Sequence, residues 1–355
     1  MNALSNLVMN QPIEKGGAWA SGGFSYQCDW GMDKLLTLHK SGNDYIIVFD
    51  YHDDIVVLDG EVNLQNVDFY QIKTSHNNQW TINRLTKYEK GGHSILWKLL
   101  SHFAIISYTR NIYFVTNDYL SSSMLKIGST SQNLIHFYDL KSTTQASIKK
   151  RLEKEDPKVN ISKLDNLYFF INQLHYNLHN EIMIGRVTDF IKESNLSPDL
   201  KPKIFYDSLH NEIERKIRYA TDITSADDLI SEKSFTKKRF DIYLNEINNF
   251  ETFKRSCENI VGILNNDKVS FKTIKELQRS WKEIQVDLMD YRNYEIRELI
   301  KYISSVYKTT EIEDDITLYQ YCCKIYDMVE REYVNLMRHS EYYLKALILY
   351  IVNNE

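Results

Sequence analysis

The chain has few of the residues that mark fibrous, disordered or disulfide-rich proteins. Its 355 residues include four prolines and twelve glycines, too few for collagen-like or long disordered segments. Its four cysteines show no CxxC or Cys/His spacing, and adjacent Cys322 and Cys323 are poorly placed to bridge each other. Reduced thiols without structural zinc are therefore expected.

Long apolar runs are also missing. The first residues lack a basic start followed by a long apolar stretch, and the late apolar run 346–352 is too short to span a bilayer. We therefore expect a cytoplasmic protein that does not enter the membrane. A chain of 355 residues is too long for one ordinary core, which predicts two domains.

A charged run with a proline, "ASIKKRLEKEDPKVNISK", marks the expected boundary near residue 155. Residues 1–155 hold 15 basic and 15 acidic side chains, whereas residues 156–355 hold 28 basic and 33 acidic ones. The acidic balance of the second part argues against general nucleic-acid binding there, although a local patch on a neutral domain could still bind DNA.

Hydrophobic periodicity differs between the two parts. In the first, residues 24–39 predict a helix and "SILWKLLSHFAIIS" another, whereas "DYIIVFDY", "DIVVLDG", "VDFYQIKT" and "NIYFVTND" predict strands. This order predicts helices packed on a small mixed sheet. From about residue 163, long stretches such as "LDNLYFFINQLHYNLHNEIMIGRVTDFIKES" predict helices throughout, with no competing strand.

The stretch "FYQIKTS" places polar side chains at the end of an apolar strand. Because side chains two apart on a strand share a face, Gln71 and Lys73 lie together while Tyr70 and Ile72 face the opposite way. Asp54 would lie opposite them if the two strands are antiparallel neighbours. A carboxylate and an amide oxygen suit a hard cation such as Mg²⁺ (or Mn²⁺), and an ammonium can stabilise charge on a phosphate. This combination predicts a phosphodiester hydrolase.

The same residues have a simpler interpretation. An acidic residue followed some seventeen positions later by Q-x-K occurs by chance in many chains. Under that interpretation Lys73 is a surface lysine at a solvated strand end and Gln71 is a buried amide bonded to the backbone. The predicted helix before this segment and the predicted strands around it favour the interpretation as a catalytic site.

Several motifs together resemble a known family. They are "SGGFSYQ", "DYHDDIVV", "FYQIKTS" followed by Trp80, "ILWKLL" and "IYFVTND". In combination they resemble the PD-(D/E)XK nuclease domain of the CD-NTase-associated dsDNA endonucleases of bacterial antiphage systems, over about the first 150 residues. The resemblance implies an α/β restriction-endonuclease-like domain at 1–155, followed by an all-α domain at 156–355.

The resemblance also assigns roles to residues. It implies that Gln71 and Lys73 form the Q-x-K variant of the motif and that Asp54 is the metal-binding acid, with Mg²⁺ held by Asp54 and Gln71. Where related nucleases carry an acidic residue on the first helix, this chain has glutamine. The supporting candidates are Gln27 and either Asp50 or Asp53.

The helical second part narrows the resemblance. It resembles the LmuA effector of Lamassu systems more than the mixed α/β SAVED sensor domains. This implies double-stranded DNA as substrate, an SMC-like ATPase and a small accessory subunit as partners, and a homo-oligomer in the active state. The helical part would hold the nuclease inactive until foreign DNA is sensed.

Other patterns remain as alternatives. His175 and His179 lie four apart on a predicted helix, but no third ligand is evident, so we expect a structural role. The segment "FTKKRF" carries a possible DNA-binding cluster (Lys237, Lys238 and Arg239), although a solvated loop or helix start is the simpler interpretation. The alternative functions are a catalytically inactive DNA- or protein-binding subunit and a conventional restriction endonuclease.

Overall fold

The computed structural model describes two compact units. The first is Met1–Ile242 and the second is Tyr243–Glu355. The residues described are 3–10, 12, 21–60, 64–75, 79–88, 92–126, 132–197, 200–289, 294–311, 315–332 and 339–354.

A seven-stranded mixed sheet forms the centre of the first unit. Its strands are β1 (Ile46–Tyr51), β2 (Asp53–Leu58), β3 (Val67–Lys73), β4 (Thr109–Thr116), β5 (Leu134–His136), β6 (Leu167–Ile171) and β7 (Ser234–Thr236). They lie in the order β5-β6-β4-β3-β2-β1-β7. The β3–β4 and β4–β6 pairs are parallel and the other pairs are antiparallel.

Helices lie on both faces of this sheet. They are α1 (Ala3–Met9), α2 (Ser21–Lys40), α3 (Ile82–Thr86), α4 (Ile95–Ile105), α5 (Ser142–Glu155), α6 (His179–Glu193), α7 (Pro202–Arg218) and α8 (Ala226–Lys233). Three short 3-10 helices cover Ser122–Met124, Phe137–Asp139 and Ile161–Asn166. On one face, Val56, Phe69 and Phe114 pack with Leu96 and Leu99 of α4 in a single core.

Helix α4 illustrates how the sequence forms these elements. Ser94 caps its start, because the side-chain oxygen accepts a hydrogen bond from the backbone N–H of Trp97 at 3.2 Å. Leu96, Leu99 and Leu100 follow at helical spacing and are all buried. The predicted helix is thus confirmed, and its three leucines face the core.

The opposite face is covered by α2, which packs with α6 and α7. Gly31 allows α2 to approach the sheet closely. A Cβ atom at this position would lie 2.9 Å from both Ile55 Cδ1 and Phe49 Cε1. This close approach fixes the position of α2 relative to β1 and β2.

The second unit is built from helices in its described residues. The helices are α9 (Lys237–Asn266), which contains the boundary between the units, α10 (Phe271–Met289), α11 (Tyr294–Thr309), α12 (Leu318–Glu332) and α13 (Glu341–Asn354). Their apolar faces share one core. Within it the Trp281 indole N–H donates a 2.8 Å hydrogen bond to the Ala346 carbonyl. The all-α expectation is confirmed for this unit.

The expected boundary near residue 155 is wrong for the fold. Strands β6 and β7 both follow it and belong to the same sheet as β1 to β4. The segment "LYFFI", predicted to be helical, forms β6 instead. A short apolar run does not distinguish a buried strand from a helix, and parallel strands covered on both faces have such runs.

The predicted helix through both histidines is also wrong. His175 precedes a turn, and His179 is the first residue of α6. His179 Nδ1 lies 2.5 Å from the buried carboxylate of Asp29. This contact confirms a structural role for His179. Among the described residues, no helix combines the length and apolarity needed to cross a bilayer.

Candidate active site

Strands β2 and β3 bring the Asp54, Gln71 and Lys73 side chains together. The two strands are antiparallel with Ile55 paired to Tyr70, so Asp54 lies opposite Gln71. Asp54 Oδ2 accepts hydrogen bonds from Gln71 Nε2 at 2.5 Å and from the Ile72 backbone N–H at 2.6 Å. Lys73 Nζ lies 3.9 Å from the same oxygen. The convergence expected from the sequence is confirmed.

The alternation of β3 explains why this cluster lies at a strand end. Val67 and Phe69 point into the core, and Gln71 and Lys73 continue the same face where the core stops. Between them, Ile72 is 1% exposed. The Lys73 side chain is 35% exposed and that of Asp54 is 12% exposed. A substrate can therefore reach the lysine, while the carboxylate is largely shielded from water.

Burial determines the electrostatics of Asp54. Loss of hydration raises its pKa to about 6, against a smaller opposing effect of the Lys73 ammonium, while Asp53 adds a further upward contribution. The Lys73 ammonium and the hydrogen bonds from Ile72 and Gln71 favour the ionised carboxylate, but together they do not offset its loss of hydration. Such a site favours either a proton or an added cation.

Gln27 reaches the same region from α2. Its Nε2 donates to the Ile72 carbonyl oxygen at 3.5 Å. The close packing of α2 at Gly31 keeps this end of the helix near the sheet. The supporting position expected for Gln27 is thus adjacent to the Asp54 cluster.

Asp50 and Asp53 make other contacts. Asp53 Oδ2 lies 2.9 Å from His102 Nε2, and Asp53 Oδ1 accepts the Asp54 backbone N–H at 2.9 Å. Asp50 faces Lys233, whose Nζ is 3.6 Å from Asp50 Oδ2. Asp53 therefore supports Asp54 through the backbone, and Asp50 is held by a lysine outside the cluster.

The basic cluster of Lys237, Lys238 and Arg239 lies elsewhere in the first unit. Strand β7 pairs Thr236 with Ile46 at the start of β1, whereas Asp54 follows the other end of β1. Lys237 Nζ is 3.1 Å from Asp241, and Arg239 donates to the Ile230 carbonyl at 2.8 Å. Lys238 is exposed. DNA contact by this cluster stays a prediction.

The donor atoms fit a hard cation with few protein ligands. The oxygens of this cluster belong to the Asp54 carboxylate, to the Gln71 amide, whose Nε2 contacts Asp54, and to the Ile72 carbonyl, which accepts a hydrogen bond from Gln27. Oxygen ligands suit Mg²⁺, which also retains several waters. No group of three or more His, Cys, Asp or Glu side chains suited to a metal occurs in the described part of the chain. A cation here would therefore depend on one carboxylate, neutral oxygens and water.

Sequence reasoning missed several residues around the cluster. Asn117, just after β4, exchanges two 2.8 Å hydrogen bonds with the Ser75 backbone and so fixes the chain beyond Lys73. Thr116, at the end of β4, accepts a 2.7 Å hydrogen bond through Oγ1 from Nε1 of Trp80, a residue that the sequence resemblance already included. Their signal was the polar end of "IYFVTND", since parallel β3 and β4 end at the same edge. His102 and Lys233 had no local signal.

The fold and cluster together define a restriction-endonuclease-like domain. The family model of Cap4, dsDNA endonuclease domain, matches residues 15–216. This match spans more than half of the chain, and the chain therefore belongs to this family of DNA endonucleases. No curated protein matches the chain at a significant level. The model match ends before the second unit, so the narrower resemblance to the Lamassu effector stays a prediction.

Proposed function

We propose that the chain is a Mg²⁺-dependent endonuclease that cleaves double-stranded DNA as an effector of bacterial antiphage defence. Family membership supports the substrate and the reaction. The observation that carries the catalytic assignment is the convergence of Gln71, Ile72 and Lys73 on one Asp54 oxygen. A conventional restriction endonuclease would need a specificity module, and the sequence suggests none.

Asp54 and Gln71 would hold the cation, with the Ile72 carbonyl as a further oxygen. When bound, the cation would polarise the scissile phosphate and lower the pKa of a bound water. Asp54 suits this role because the loss of hydration of its carboxylate outweighs the effects that favour the negative charge, so an added cation would stabilise it. Gln71 suits it because a neutral amide adds a ligand without adding charge.

Lys73 has a different role. Its ammonium is partly exposed and lies 3.9 Å from Asp54 Oδ2, close enough to act on the same phosphate. It would stabilise charge developing on the phosphate oxygens and orient the attacking water. Its position on the same face as Gln71 follows from their spacing of two residues on β3.

A catalytically inactive binding subunit is the second candidate. The single carboxylate at the cluster favours it, because many metal sites use more than one acidic ligand. Cleavage of supercoiled plasmid with and without Mg²⁺ separates the two candidates. Asp54→Asn and Lys73→Ala should each reduce nicking by roughly a hundredfold or more. The matched controls are Asp227→Asn and Lys192→Ala, both exposed positions on α8 and α6.

Regulation by partners follows from the resemblance. We propose that the helical second unit docks an SMC-like ATPase and a small accessory subunit, and that released chains form homo-oligomers to make double-strand breaks. Unrestrained cleavage would damage the host genome, which is the physical reason for such control. Nicking should be compared between residues 1–242, the intact chain and the partner-bound chain. Equal rates for all three would contradict the regulatory proposal.

A further inference from the structure

The end of β1 and the turn into β2 have an unusual backbone. Asp50 has φ = 48° and His52 has φ = 67°. Both values lie in the left-handed region, which costs a non-glycine residue energy and persists only where surrounding contacts hold it. The turn directly precedes Asp54, so its conformation sets where that carboxylate points.

Three helices hold this segment, at Asp50, His52 and Asp53. Lys233, at the end of α8, donates to the Asp50 carbonyl at 2.9 Å. His52 Nε2 lies 2.8 Å from the Leu7 carbonyl of α1. His102 Nε2 of α4 lies 2.9 Å from Asp53 Oδ2. Only the third contact leads by hydrogen bonds to Asp54 itself.

The contact between His102 and Asp53 is shielded from solvent, and a neighbouring ring fixes the orientation of the imidazole. Their side chains are 6% and 4% exposed, respectively. The Phe69 ring stacks on the imidazole at a centroid distance of 4.0 Å and an interplanar angle of 10°. Because a carboxylate only accepts hydrogen bonds, Nε2 carries the donated hydrogen. In the described part of the chain, His102 Nδ1 has no hydrogen-bond partner, so Nε2 makes the polar contact that fixes the ring.

A short chain of hydrogen bonds thus runs from α4 to the candidate site. His102 Nε2 donates to Asp53 Oδ2, Asp53 Oδ1 accepts the Asp54 N–H, and Asp54 Oδ2 accepts from Gln71. We propose that His102 is a positioning residue that, through Asp53, keeps the Asp54 carboxylate aimed at Gln71 for cation binding. The proposal rests on the proposed nuclease function. It assigns no contact between His102 and the substrate.

The physical basis is the behaviour of two adjacent acids. Without the donor from His102, the buried Asp53 carboxylate would lose its side-chain partner and would reorient toward other donors, including those now bound to Asp54. The Asp54 N–H would then lose its fixed acceptor. A defect in cation binding is therefore expected even where the hydrophobic core is unchanged.

The test compares three substitutions in the full chain. His102→Phe keeps the stacked ring and removes the donor. His102→Gln places an amide N–H near the position of Nε2, whereas His102→Asn is too short to reach Asp53. His136→Phe, on the edge strand β5, is the matched control. The measurements are Mn²⁺ affinity by electron paramagnetic resonance, plasmid nicking, and thermal unfolding without metal.

We expect Mn²⁺ affinity and kcat to fall about tenfold or more in the Phe and Asn variants, with KM for DNA changed by less than about twofold. The Gln variant should recover most of both. If the Phe variant does not fold, the difference between Gln and Asn still decides the question. Phe or Asn variants that fold and bind Mn²⁺ like the wild type would overturn the inference alone. A wild-type chain that neither binds Mn²⁺ nor nicks DNA would overturn the proposed function.

Discussion

Replacing Asp54 by asparagine should stabilise the fold in a pH-dependent way. The pKa of Asp54 is about 6 in the folded chain, raised from 3.8 mainly by burial. The folded state therefore binds a proton more tightly than the unfolded state does. The free energy of unfolding falls as pH rises from about 4 to about 6, and above that range the full cost of the ionised carboxylate is present.

The expected magnitude follows from the two pKa values. Their difference corresponds to about 1 kcal/mol of lost stability at pH 4.5 and about 3 kcal/mol at pH 7.5. Asparagine does not titrate. The free energy of unfolding of Asp54→Asn relative to the wild type should therefore increase by about 2 kcal/mol between these pH values.

The assay is urea unfolding at pH 4.5, 6.0 and 7.5 with a chelator present. The difference in unfolding free energy between Asp54→Asn and the wild type at any one pH also includes the effect of altered hydrogen bonds to Gln71 and Ile72. The change of this difference with pH is therefore the decisive quantity. Asp227→Asn, at an exposed position, should show little change with pH. An Asp54→Asn difference that stayed constant or shrank as pH rose would refute the reasoning about burial.

Three further outcomes follow. Mn²⁺ affinity should weaken about tenfold from pH 7 to pH 5, because protonation of Asp54, with a pKa of about 6, competes with metal binding. Calorimetric titration measures this affinity, and an affinity that did not change with pH would contradict the prediction. Gly31→Ala should destabilise the first unit by about 1–3 kcal/mol in urea unfolding, since the added methyl group overlaps the side chains of Phe49 on β1 and Ile55 on β2. Gly185→Ala is the control and should not destabilise the unit, because the added methyl group enters open space. Trp281→Ala should lower the free energy of unfolding of the second unit by about 3–5 kcal/mol and make this unit more susceptible to limited proteolysis. An unchanged rate of proteolysis would contradict the core role of Trp281.

The candidate site was predictable because its parts are local in sequence. Gln71 and Lys73 lie on one strand, and Asp54 lies on the strand that precedes it, so alternation and one antiparallel pairing were enough to place them together. Gln27 came from the resemblance, and the close packing of α2 at Gly31 accounts for its position.

Other parts of the fold depend on distant residues. Lys233 meets Asp50 across 183 positions and His102 meets Asp53 across 49, and nothing near either residue indicates its partner. Strand β6 has an apolar sequence that fits helix or strand equally, and its identity depends on pairing with β4. The three-residue strand β7 is too short for a periodic signal.

The late position of β6 and β7 has a consequence for how such effectors diversify. A sheet completed by residues 234–236 cannot be exchanged between proteins by recombination at residue 155, because the transferred piece would leave β4 and β1 with open edges prone to aggregation. Natural or engineered swaps of the second unit should therefore succeed with junctions near residue 242, where the first unit ends. The part that must be transferred together is thus the first unit, which holds the candidate site and makes up about two thirds of the polypeptide.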